Sequence, residues 1–186
     1  METNTKSKIL NITKKMFASQ CQKRLSMRDL AEKTNISPSV IYHYFQDKDI
    51  LLRQMFDHIQ SDLEVKIRKI KPKKTAAAQL EQYILFQMNH AEDIVSTLKY
   101  YLMYRKSFNK QQGGYIPKQT YIHIKKILEH GNKNKEFNIK DTEAKAKIIA
   151  HAINGFIMEY YPQKPNSKEI KRILLSIHRL ILKSLK

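Results

Sequence analysis

Apolar residues recur at steps of three and four along nearly the whole chain, and no alternating run of β-branched residues is long enough for a strand. The pattern predicts an all-α protein of about nine helices. The first covers about residues 5–20, with Ile9, Ile12, Met16 and Phe17 facing inward. Two short helices follow. One opens at Ser26 and ends near Asn35; the other opens at Ser37 as its cap, with Pro38 in the first turn, where a missing N–H costs nothing. A fourth, capped by Asp47, carries Leu52, Met55, Phe56, Ile59 and Leu63 on one face until Lys71-Pro72-Lys73-Lys74 stops it. Helices over about 76–90 and 93–108 come next. Gly113-Gly114 breaks the chain, Pro117 opens a helix to about His130, and a polar connection holding Phe137 leads to a helix from Asp141 or Thr142 to about Tyr160. Pro162 and Pro165 end it, and Ser167 caps the last.

The stretch SMRDLAEKTNISPSVIYHYF, Ser26 to Phe45, forms a unit: two short helices and a tight turn, the helix-turn-helix arrangement. Steeply crossing helices leave room only for a small side chain at the contact, and Ala31 supplies it. The turn favours a residue that tolerates left-handed backbone, and Asn35 supplies that. Ile36 and Ile41 plug the wedge, and Tyr44 and Phe45 are expected in the core. In such a unit the second helix enters the major groove by its N-terminal end. Ser37, Ser39 and Val40 let backbone approach base edges, and Val40 offers methyl surface to thymine. Tyr42 and His43 can donate to phosphate oxygens, Lys48 adds charge at a helix N-terminus, and Arg28 can reach a guanine edge or a phosphate. Ordinary surface packing is the alternative for Tyr42 and His43.

Charge strengthens this reading without locating it. Thirty-five Lys and Arg against seventeen Asp and Glu give a net +18, which implies an anionic partner such as nucleic acid, or else a solvated Lys-rich surface. Residues 1–48 hold nine basic and four acidic side chains, so the excess is not confined to the unit above. One cysteine, Cys21, excludes an internal disulfide and a multi-cysteine metal site; no metal and no cofactor is expected. No apolar run is long enough to cross a bilayer and the polar opening Met1–Lys8 does not read as a signal peptide, so a cytoplasmic, reducing setting is expected. There is no Gly-rich phosphate loop and no Ser–His–carboxylate pattern, which argues against an enzyme.

Ile9-Leu10 with Met16-Phe17, Ser26 to Ala31, and Ile41-Tyr42-His43-Tyr44-Phe45 followed by Lys48 and Leu51-Leu52 resemble the tetracycline-repressor (TetR) family of bacterial transcriptional regulators. The resemblance implies a homodimer in which residues 1–48 bind double-stranded DNA at a near-palindromic operator. Helix four, about 47–70, connects, and residues 49–186 bind a small-molecule effector and dimerise. The family's DNA-contacting positions fall on Ser26, Arg28, Ser37, Pro38, Ser39, Tyr42, His43 and Lys48. The family's usual Gly-aromatic pair after helix one is Gln20-Cys21 here, and its Lys-Gly early in helix three is Pro38-Ser39; Lys6, Lys8, Lys23 and Arg24 are expected to supply the lost charge.

Beyond that unit, Ile148, Ala152, Gly155 and Phe156 share one side of the eighth helix. Ile173, Ile177, Leu180 and Ile181 give the ninth more apolar face than one partner needs. Pairing across two chains is expected, an intrachain core being the alternative. Phe86, His90, Tyr100, Tyr101, Tyr104, Phe108 and Tyr121 are expected to line an effector cavity for an apolar or anionic molecule, with a closely packed core as the competing reading. A basic architectural DNA-binding protein, or a regulator governed by a protein partner, remains the alternative function.

Overall fold

Capping chemistry sets the first helix boundaries of the structure, a computed structural model that describes residues 2–19, 25–104, 118–161 and 167–185. Helix α1 is Glu2–Ser19 and α2 is Met27–Thr34, opened by the Ser26 hydroxyl accepting from the Asp29 N–H at 3.0 Å. Asn35 closes α2 with φ 54° and ψ 44°, the left-handed geometry that asparagine tolerates. Helix α3 is Pro38–Tyr44, with proline in its first turn. Ser37 precedes it but its hydroxyl makes no cap; it pairs with the Ser39 hydroxyl at 3.0 Å instead. Helix α4 is Lys48–Arg68, and the Asp47 carboxylate accepts from the Ile50 N–H at 2.7 Å.

The remaining elements are α5 (Ala76–Asn89), α6 (Ala91–Met103), α7 (Lys118–Lys133), α8 (Thr142–Tyr160) and α9 (Ser167–Lys183). Among the described residues there are nine helices and no strand. Several boundaries differ from the sequence pattern: α1 begins at Glu2 rather than about residue 5, and α6 ends at Met103 rather than about residue 108. Helix α6 starts two residues before Asp93, because the Ile94 N–H already donates to the His90 carbonyl at 3.0 Å. Helix α7 runs through Gly131 to Lys133 rather than stopping at it. Glycine is needed there for space and not as a helix stop: a Cβ would lie 2.1 Å from the Phe137 ring. The expectations attached to Cys21, Lys23, Arg24, Phe108, Gly113, Gly114, Pro117, Pro162 and Pro165 fall outside the described residues.

The chain divides into two compact units, Met1–Ile70 with Val95–Met103, and Lys71–Ile94 with Tyr104–Lys186. In the first, α1 packs on α2 and α4, and α2 on α3. Ile9, Leu30, Ile41, Phe45, Leu51, Leu52 and Met55 are fully buried, whereas Tyr44 is only half-buried. The second half of α6 closes the end of α1. Lys99 Nζ donates to the carbonyls of Phe17, at 3.2 Å, and Ala18, where a helix leaves its last C=O groups unpaired. The Ser96 hydroxyl donates to the Lys14 carbonyl at 3.3 Å.

In the second unit α7 packs against both α5 and α8, and α9 against α5. Thr75 caps α5 by accepting from the Ala78 N–H at 3.2 Å. Glu136, from the α7–α8 connection, accepts from the Ala76 N–H with both oxygens at 3.0 and 2.8 Å. The Asn132 side chain holds the same connection, accepting from the Ile139 N–H at 3.0 Å and donating to its carbonyl at 2.7 Å. Phe137 and Ile139 are thereby buried.

Candidate functional site

The turn between α2 and α3 sorts the side chains of α3 onto two faces. Ile41 is wholly buried, while Ser37, Pro38, Ser39, Val40, Tyr42 and His43 are all exposed. Ser26 and Arg28 are exposed beside them at the start of α2, and Lys48 is half-buried at the start of α4. Val40 is 39% and Tyr42 51% exposed, so an aliphatic and an aromatic side chain stand in water next to small hydroxyls. That arrangement suits a surface that meets base edges and sugar. Behind it, His43 meets the Tyr44 ring edge-on at 5.5 Å, and Lys6 lies 6.0 Å from the centre of the Phe45 ring.

On α8 and α9 the expected pairing residues separate. Ile148 and Leu180 are 63% and 68% exposed, and Ala152 and Gly155 are exposed, with open space where a Gly155 Cβ would stand. Ile173 and Ile177 are half-buried. Phe156 and Ile181, by contrast, turn inward: both are buried within the chain, and Phe156 packs on Tyr160 at 4.5 Å. Helical spacing placed Phe156 beside Gly155, but adjacent positions on a helix lie about 100° apart and need not share a face.

The expected effector residues also fall into two groups. Tyr100 and Tyr101 belong to the first unit, buried against Phe56 of α4, one stacked at 4.6 Å and the other edge-on at 5.2 Å. Burial raises both hydroxyls above the ordinary tyrosine range, Asp57 adding to the effect on Tyr100. Phe86, His90, Tyr104 and Tyr121 lie in the second unit and are half-buried; Phe108 lies outside the described residues. Phe86 packs on His90 at 4.6 Å, and Lys147 stands 5.1 Å over the Tyr121 ring. Glu143 accepts from Lys147 at 2.8 Å and Lys125 at 3.1 Å, and these bonds hold its carboxyl down to about 2.

The periodicity did not point to Tyr83, Gln87, His123 and Asn154. Tyr83 and Gln87, one turn apart on α5, are both buried, and the Tyr83 ring lies 5.9 Å from His123 of α7. Burial pushes the Tyr83 hydroxyl above the ordinary tyrosine range. The Gln87 amide lies against the Tyr83 hydroxyl as its side-chain hydrogen-bond partner, and the side-chain oxygen of Asn154 on α8 has no hydrogen-bond partner. The available signal was a polar residue inside an apolar stripe. At the nearby start of α6, His90 Nδ1 is 3.5 Å from Asp93, and the Tyr161 hydroxyl donates to Glu92 at 3.2 Å. Burial first, and then Glu92, push that hydroxyl up to about 12.

Among the described residues no helix is long and apolar enough to cross a membrane, and no group of three His, Cys, Asp or Glu is placed to hold a metal. A profile described as bacterial regulatory proteins, tetR family, matches residues 9–55; another, described as QacR-like protein, C-terminal region, matches residues 80–186. The chain is 23% identical to the HTH-type transcriptional regulator QacR of Staphylococcus aureus over 177 residues, 89% of this chain and 90% of that one. Two solved structures share the fold. A TetR transcription regulator from Haloarcula marismortui has a TM-score of 0.75 at 14% identity, covering 98% of each chain. FadR of Bacillus subtilis, in complex with stearoyl-CoA, has a TM-score of 0.73 at 18% identity, covering 97% of this chain and 99% of that one.

Proposed function

Because the chain belongs to the tetR family of bacterial regulatory proteins, we propose that it is a homodimeric repressor acting in the cytoplasm. It grips a near-palindromic operator with two copies of α3 and is released by a small molecule held in its second unit. Residues 1–48 form the DNA-binding domain, α4 is the connecting lever, and residues 49–186 carry dimerisation and effector binding. One observation supports this above the others: Val40 and Tyr42 stand in solvent on either side of a fully buried Ile41. In this reading Val40 meets thymine methyls, Arg28 a base edge, and Tyr42, His43 and Lys48 the phosphates.

One short helix in one groove discriminates weakly, and two half-sites multiply the discrimination. The outward face of α8 and α9, with Ile148, Ala152, Gly155 and Leu180, supplies the second copy's docking surface. Release follows from linkage. An effector must bind more tightly to a form whose recognition helices miss the half-site spacing, by about 5.5 kcal/mol for near-complete switching. FadR is in complex with stearoyl-CoA, but here Glu92 and Asp93 stand at the start of α6 beside His90 and Tyr161. That local charge disfavours the anionic effector suggested by the net charge of the whole chain.

The test is selection of bound sequences from randomised duplex DNA, repeated with a cell-metabolite extract present. Enrichment of a short inverted repeat, lost in the extract, is the expected outcome. Diffuse binding with no enriched sequence would return the protein to the architectural class.

A further inference from the structure

One turn of α1 and one turn of α4 border an open cleft of about 310 Å³. Lys6, Ser7 and Leu10 line it from α1, and Gln54, Asp57 and His58 from α4. All six belong to the first unit. Positions three and four apart share a helix face, which is why these residues meet one space. Leu10 is buried and supplies an apolar wall; Lys6, Ser7, Gln54 and His58 are half-buried, and Asp57 is exposed. The cleft therefore holds opposite charges, and they do not neutralise each other. Lys6 and Asp57 form no ion pair with one another or with any other described residue. The Lys6 ammonium lies 6.0 Å from the centre of the Phe45 ring instead, and the charge of Asp57 acts on the Tyr100 hydroxyl. His58 adds a ring N–H to the cleft, and its charge acts on Asp62, one turn further along α4.

We propose that this cleft is a small-molecule site in the DNA-binding unit, separate from any effector site in the second unit, and that its ligand is a free α-amino acid with an apolar side chain. A simple anion would meet Lys6 and His58 but be repelled by Asp57, and a simple cation would meet the reverse. A zwitterion satisfies both signs. Its carboxylate accepts from Lys6 Nζ and from the His58 ring N–H; its ammonium donates to the Asp57 carboxylate and to the Gln54 side-chain carbonyl; its side chain covers Leu10. The cleft is open to water, so each ion pair is weak by itself, and affinity depends on the ligand carrying both charges and the side chain together. The place of the cleft gives it consequence. Helix α1 also packs on α2, and α4 follows α3 in the chain, so a ligand here touches the unit that presents α3. Occupancy requires nothing of the second unit.

The experiment is isothermal titration of the full chain, free of DNA, with four probes. They are L-leucine; 4-methylpentanoate, which lacks the ammonium; 3-methylbutylamine, which lacks the carboxylate; and glycine, which lacks the side chain. L-Leucine is expected to bind at least about fivefold more tightly than each of the other three, the scale of one solvent-accessible ion pair. Asp57→Asn should weaken L-leucine binding by about fivefold and tighten that of 4-methylpentanoate, because the repelling carboxylate has gone. Lys6→Gln should weaken L-leucine binding as much and tighten that of 3-methylbutylamine. A variant that had merely misfolded would lose affinity for every probe and gain it for none. Absence of L-leucine binding overturns the proposal. So does equal binding of either single-charge analogue, since one charge then suffices, and so does an unaltered L-leucine affinity in either variant, which would place the ligand elsewhere in the chain. None of these outcomes bears on operator binding or on an effector in the second unit, which the selection from randomised DNA tests by itself.

Discussion

At the scale of single residues, the proposed DNA contacts of Arg28 and Lys48 make different predictions. Arg28 is exposed in the first turn of α2 and Lys48 sits at the start of α4. Lys48→Ala should weaken binding to all duplexes alike and flatten the dependence of log affinity on log salt by about one unit, read from titrations at several salt concentrations. Arg28→Ala should relax preference at one operator position by about 1–3 kcal/mol, measured on single-base operator variants. Gly131 is a matter of space. Its missing Cβ is occupied by the Phe137 ring, so Gly131→Ala should lower stability by about 1–3 kcal/mol in denaturant titration, even though alanine favours a helix. Tyr161 sets an alkaline limit. Its hydroxyl is pushed up to about 12, against an ordinary value of 10.0. The native state therefore keeps a proton that the unfolded chain has lost, and stability falls as pH rises from about 10 to 12. Tyr161→Phe should make that fall shallower when unfolding temperatures are compared across the window.

At the scale of elements, helix ends carry much of the organisation. Asp47, Ser26, Thr75 and Asp141 each accept an N–H in the first turn of the helix they precede, as the residue types in those places predict. Glu136 does the same for α5 from sixty residues away. Its carboxylate meets N–H groups at the positive end of a helix, so the bond is charge-assisted. Glu136→Ala should cost about 1–2 kcal/mol. Hydrogen exchange should quicken first in the opening turn of α5; uniform exchange across the second unit would point to a different role. Lys99 provides the opposite closure, a cation on the carbonyl end of α1.

At the scale of the whole molecule, the proposed pairing of two chains through α8 and α9 is open to a direct test. Among the described residues, Ile148 and Leu180 are the two most exposed of the large hydrophobic side chains that stand in solvent. A charge on this face would have to be desolvated in the dimer and would remain hydrated in the monomer. Leu180→Glu should therefore shift sedimentation toward monomer and reduce operator affinity well over tenfold, while the unfolding temperature of the isolated chain stays close to wild type. Retention of full dimer would place the interface elsewhere.

Much of this was legible in the sequence because it depends on neighbours in the chain. Ala31, Asn35, Pro38 and Ile41 specify a turn and a wedge within about ten residues, and Asp47 caps the helix it precedes, so the exposed face of α3 followed from local spacing alone. The same spacing could not show which apolar side chains turn inward. Phe156 and Ile181 fill the chain's own interior while Ile148 and Leu180 remain outside, a choice made by packing between helices far apart in sequence. Tyr100 and Tyr101 were likewise claimed by Phe56, forty-four and forty-five residues earlier. What the amino-acid order determined by itself was the helices, their caps and the helix-turn-helix, because hydrogen bonds and side-chain period act over a few residues. Tertiary structure decided the fate of each buried group, because burial depends on partners brought together only when the whole chain packs.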